Sequence, residues 1–280
     1  ISDKQKFLII NLSSFISNNF NENKFILADT FASISDYDSA IKLFKSIPSE
    51  NYLSEITALK IVNIYSMNGE NEKAKIFLMN NDLLKNSFQG LMTLGNLYRY
   101  ESQWDMAIDS YMNAINIKKN DTDFNLWDAY YKLGISFERK NDWKKAEEYL
   151  LRALHYSRHQ PEVLNYLGYT YLDLGISYKF EDARKMLEEA LKQKPDDAYI
   201  LDSMAWYYFK VGRFADSLQL FEYAILLDPS DPTINDHFGD VLWKSGKFSQ
   251  ARYQWKKALD VNEDQLSVDK IKKKLILGII

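Results

Sequence analysis

Apolar residues return along this chain at steps of three and four, which gives helices a single buried face. Tyr130, Leu133, Gly134 and Phe137 mark one such face, and Ala146, Leu150 and Ala153 mark the next. The pair then recurs. Leu94-Gly95, Tyr98, Trp104, Ala107, Tyr111 and Ala114 precede it, and Leu167-Gly168-Tyr169 follows it. Met204-Ala205, Tyr208, Gly212, Phe214, Phe221 and Ala224 form another copy, and Phe238-Gly239, Leu242, Gly246, Phe248, Ala251, Trp255 and Ala258 one more. Weaker copies hold Ile61-Val62, Tyr65, Gly69, Ala74 and Leu78, and Leu27-Ala28, Phe31, Tyr37, Ala40 and Phe44. The small register residues are Ala28, Val62, Gly95, Gly134, Gly168, Ala205 and Gly239, spaced by 34, 33, 39, 34, 37 and 34.

A fixed period of this length means repeated supersecondary units. A lone helical pair cannot bury both of its faces, whereas stacked pairs can. Glycine at the register position removes a side chain where two helix backbones cross. The breakers agree. Pro161 and Pro232 stand where a first helical turn loses no donor. Gly175, Gly212 and Gly246 suit the turn inside a unit. Asp121, Asp123, Asp196, Asp197, Asp228 and Asp231 can cap exposed amides. The long spacing places about five extra residues near Lys118–Asp123, and three more fall at Ile176–Phe180.

Each unit resembles the tetratricopeptide repeat: a large-small pair in the first helix, an aromatic three residues on, and small residues in the second helix. The resemblance implies an all-α, right-handed superhelical solenoid of antiparallel helix pairs. Repeats are expected at about 21–54, 55–87, 88–126, 127–160, 161–197, 198–231 and 232–263, in a single domain. Residues 1–20 read as a partial repeat or an amino-terminal cap, with an amphipathic helix over 3–18. Residues 264–280 read as a capping helix with Val268, Ile271, Leu275 and Ile279 on one face, although Lys272, Lys273 and Lys274 also suit a membrane-surface helix.

In this family the first helices line a concave groove. Carried onto this sequence, the resemblance selects Asn63, Asn96, Arg99, Tyr100, Tyr131 and Arg139, then Asn165, Tyr169, Asp202, Trp206, Phe209 and Trp243. Met92, Asp236 and Asp240 fall on the same face. Tyr and Trp give large contacts with few rotors, and the asparagines offer a peptide backbone both donor and acceptor. Arg99 and Arg139 against Asp202, Asp236 and Asp240 would grade the groove from basic to acidic. Some members hold a C-terminal carboxylate between Lys, Arg and Asn. Asn63, Asn96 and Arg99 are the nearest imitation, and with no lysine at the corresponding positions of the second repeat that clamp is not expected. More narrowly, Asn165–Tyr169, Tyr199–Trp206, Ile234–Asp240 and Gln254–Leu259 are similar to the C-terminal half of a repeat protein widespread in proteobacteria.

Composition narrows the function. Hydrophobic residues make up 46% and aromatics 15% of the 280 residues, too many for a disordered chain. A formal net charge of -4 gives no general pull toward nucleic acid. There is no cysteine, hence no disulfide, thiolate metal site or thiol nucleophile. His155 and His159 lack a third ligand at matching spacing, and His237 lacks a nucleophile fixed by motif. No glycine-rich phosphate loop is present. The expectation is a non-catalytic scaffold or adaptor that binds a peptide or partner protein, without cofactor or metal. The alternative is an RNA-binding or envelope-associated regulatory solenoid. No run long enough to span a membrane occurs. The chain begins at Ile1, which suggests a processed chain or a piece of a longer protein with any leader upstream. Bacterial cytoplasm and cell envelope both fit.

Overall fold

The computed structural model describes residues 21–118, 126–261 and 265–279. The expected helix over 3–18 and the caps at Asp121 and Asp123 lie outside these. Among the described residues there are fifteen α-helices and no strand. Six pairs are joined by three-residue turns. They are α1 (Asn21–Ser33) with α2 (Tyr37–Lys45), α3 (Ser54–Met67) with α4 (Asn71–Asn80), and α5 (Phe88–Tyr100) with α6 (Trp104–Lys118). The next is α7 (Trp127–Arg139) with α8 (Trp143–Tyr156). In the fifth pair, α9 (Pro161–Asp173) reaches α10 (Phe180–Gln193) through a 3-10 turn at Ser177–Lys179. The extra residues at Ile176–Phe180 thus fold into that turn and leave Tyr178 exposed. Then follow α11 (Ala198–Lys210) with α12 (Phe214–Leu227), α13 (Pro232–Lys244) with α14 (Phe248–Val261), and finally α15 (Gln265–Leu277).

One turn geometry serves all seven pairs. The second residue after each first helix is left-handed: Ser35, Gly69, Ser102, Asn141, Gly175, Gly212 and Gly246. The next residue reaches back to close the helix. Asp36 N–H donates to the Phe31 carbonyl at 2.9 Å, Asp142 N–H to Phe137 at 2.9 Å, and Lys247 N–H to Leu242 at 2.9 Å. This is the Schellman arrangement. The same residue opens the second helix, since its carbonyl accepts from Ala40, Ala146 or Ala251 N–H. The small residues expected in the second helices therefore stand at their fourth position, fully buried. Pro161 and Pro232 occupy first turns, and Asp197 and Asp231 accept backbone N–H bonds from the helices they precede.

The chain forms two compact units, the first ending at Arg152 and the second starting at Ala153. In the first, a small residue on each first helix meets a large one on its partner. A Cβ on Gly95 would lie 2.4 Å from the Tyr111 ring, and one on Gly134 2.8 Å from Leu150 Cγ. Ala28 packs in one cluster with Phe44, and Val62 in another with Leu78. In the second unit Gly168 faces Leu187 and Gly239 faces Trp255. Ser217, where an alanine is usual, stays buried because its hydroxyl donates to the Ala205 carbonyl at 2.8 Å.

Candidate functional site

The face that the sequence singled out is built differently in the two units. In the first, Asn63 on α3 is exposed, and so is Arg139 on α7, 3.5 Å from Glu138. On α5, Tyr100 is 81% exposed, whereas Asn96 and Arg99 are half-buried. The Tyr111 hydroxyl on α6 donates to Asn96 Oδ1 at 2.9 Å, which leaves the Asn96 amino group outward. Burial pushes the Tyr111 phenol up to about 12, against the opposing pull of Arg99 beside it. Arg99 Nε is buried without a hydrogen-bond partner. Tyr131 is half-buried, its ring 6.3 Å from Trp127. Met92 was expected on this face but is buried, because it points into the helix packing.

In the second unit most of the expected groove residues are consumed by packing. Asp202 on α11 is only 5% exposed and accepts from His237 Nδ1 on α13 at 2.9 Å. Trp206 is 7% exposed, stacked between His237 at 4.1 Å and Phe209 at 4.7 Å. Trp243 lies half-buried against Phe248, Trp255 and Arg252. Asn165 and Tyr169 on α9 are half-buried, and the Tyr169 ring stands 6.0 Å from His237. Asp202 and Trp206 are thus engaged in packing contacts between α11 and α13. The physical reason is His237, a flat cation-capable ring that fills the space over α11 and draws both residues inward. Burial alone would push its imidazole down, but Asp202, with Asp236 and Asp240 behind it, holds it above its ordinary value.

The acidic end of the expected charge gradient is absent as well. Lys274 of α15 lies 2.8 Å from Asp236 and 2.9 Å from Asp240. Asp240 also accepts from Trp255 Nε1 at 3.0 Å. His237 and Lys274 are therefore the polar residues whose buried carboxylate partners sequence reasoning did not foresee. For Lys274 the signal was its place three residues after Ile271, which is buried. His155 and His159 do not converge, as His159 lies 3.2 Å from Glu189. Among the described residues no group of three potential ligands could hold a metal, and no helix is long and apolar enough to cross a membrane.

The tetratricopeptide-repeat family pattern matches residues 139–207 and again residues 91–123. Both of these stretches carry tetratricopeptide repeats. Over 128 residues the chain is 30% identical to the TPR repeat-containing protein PA4667 of Pseudomonas aeruginosa, matching 40% of this chain and 21% of that protein. Over 86 residues it is 37% identical to BBSome complex member BBS4 of Bos taurus, matching 31% of this chain and 15% of that protein. It spans about a fifth or less of the length of these curated relatives. A crystal structure of a tetratricopeptide repeat protein from Parabacteroides merdae superposes with a TM-score of 0.68 at 15% identity, covering 91% of this chain and 98% of that one. That likeness establishes the fold. Tetratricopeptide folds are in general scaffolds for protein–protein interaction.

Proposed function

We propose that this protein is an adaptor that holds a segment of another protein on the first-helix face of its amino-terminal unit. The observation that carries the reading is the contrast between the two units. On α3, α5 and α7 the face presents Asn63, Arg99, Tyr100, Tyr131 and Arg139, with Tyr100 and Arg139 outward. The corresponding carboxylates of the second unit are neutralised by His237 and Lys274. Rigid aromatic rings and arginines are the residues that dominate binding energy at protein interfaces. The 37%-identical relative is itself named as a member of a complex.

The test compares the wild-type chain with Arg99→Glu/Tyr131→Ala as bait in a bacterial lysate. Equal circular dichroism spectra and unfolding midpoints must first show that both fold alike. Loss of a reproducible partner from the double variant is expected. A partner retained undiminished would move the binding face elsewhere on the chain.

A further inference from the structure

The amino-terminal unit has a second opening, on the flank made by α2, the end of α3 and α4. Two cavities of about 400 and 550 Å³ adjoin there and share Tyr65 and Lys73. The smaller is lined by Ile76 and Phe77 of α4 beside the Tyr65 ring, with Lys73, Asn80 and Asn81. Phe77 and Tyr65 lie 6.2 Å apart, and Ile76 is 53% exposed. The larger is bordered by Lys42 and Lys45 of α2.

The charges at this cleft are not balanced. Lys73 is engaged by Glu70 at 2.8 Å. Lys45 Nζ reaches only the Tyr65 hydroxyl, at 3.5 Å, and the Phe77 ring, 6.0 Å away. Neither Lys42 nor Lys45 has a carboxylate partner among the described residues. The other carboxylate of the cleft, Asp38, sits at the start of α2. Two open ammonium groups thus flank a hydrophobic slot, with Asn68 and Asn80 at the rim to bond a backbone.

We propose that this flank is a docking site, separate from the first-helix face, for an acidic peptide segment of a partner that carries a large hydrophobic side chain. The side chain enters between Tyr65, Ile76 and Phe77, and the neighbouring carboxylate lies between Lys42 and Lys45. A single carboxylate is favoured there, whereas a polyanion such as RNA meets Asp38 and Glu70 and finds no continuous cationic track. A bilayer surface is broad and does not enter a bounded cleft of this size.

Fluorescence anisotropy of the full chain tests this with a labelled peptide of sequence Gly-Glu-Phe-Glu-Phe-Glu-Gly, its lysine-for-glutamate counterpart, and a labelled ten-nucleotide single-stranded RNA. The acidic peptide is expected to bind, to weaken with added salt, and to lose about tenfold or more in affinity in both Lys42→Glu/Lys45→Glu and Ile76→Glu. These three side chains are exposed, so the variants should keep the wild-type unfolding midpoint. Arg99→Glu/Tyr131→Ala should bind this peptide as wild type does, which separates the site from the first-helix face. Equal binding of the lysine peptide, tighter binding of the RNA, loss only in Arg99→Glu/Tyr131→Ala, or indifference to both flank variants would each overturn the proposal.

Discussion

At the residue scale, packing follows a size rule: a small residue on the first helix makes room for a large buried one on the second, as Gly95 does for Tyr111 and Gly239 for Trp255. The rule has a graded consequence. A Cβ at Gly239 would lie 2.4 Å from the Trp255 indole, wedged in the packing, whereas one at Gly168 would lie 3.1 Å from Leu187 Cγ and 3.3 Å from the Ala183 carbonyl oxygen. Gly239→Ala is expected to lower stability by about 1–3 kcal/mol despite the better helix propensity of alanine. Gly168→Ala should cost less than Gly239→Ala, and urea unfolding midpoints of the two variants would show the difference. His237 gives a second residue-level expectation. Its folded imidazole binds a proton more tightly than the unfolded one, because of Asp202. The resulting stabilisation is complete below the unfolded value of about 6.5 and is lost as pH rises through the raised folded value. The wild-type unfolding midpoint should therefore fall over that window. His237→Gln should flatten the slope, and an unchanged slope would remove the ion pair from the account. Neither this pair nor the Lys274 contacts were legible in the sequence, since the partners lie 35 and 38 residues apart and no local period links them.

At the element scale, the helices were legible because each writes its buried face at steps of three and four. Helix α15 shows both the reach and the limit of that pattern. Its apolar stripe placed Ile271 inward, and Ile271 is 1% exposed against the last pair. The lysine run beside it suggested a membrane surface, yet Lys274 turns back onto Asp236 and Asp240 of α13. Arg252 of α14 donates to the Leu275 carbonyl at 3.4 Å, and Gly278, with φ of 75°, fits against the Trp243 indole. Lys274→Met should leave two adjacent carboxylates unneutralised, one of them largely buried. The loss is expected below the roughly 3–5 kcal/mol of a fully buried pair, because Lys274 remains partly exposed. Removing residues 265–280 should in addition uncover Trp243 and drive self-association. Light scattering that stays monomeric, with unchanged melting, would show that α15 contributes nothing to the array.

At the scale of the whole molecule, the repeat was plain in the sequence and its division into two compact units was not. Helix α8 runs through the boundary at Arg152 with neither glycine nor proline, so no breaker marks the place. The candidate face was half legible. Family positions assume an open groove along one side of the first helices, and His237 packs over Asp202 and Trp206 there. The turns were legible only where glycine makes them. Gly69, Gly175, Gly212 and Gly246 announce a left-handed residue, whereas Ser35, Ser102 and Asn141 hold the same conformation without announcing it. All three of those lie in the first unit, and a side chain in that conformation costs on the order of 1 kcal/mol relative to glycine. The molecule is therefore unevenly durable. A cellular protease or unfoldase would find its first foothold at the amino-terminal turns, while the second unit was still intact.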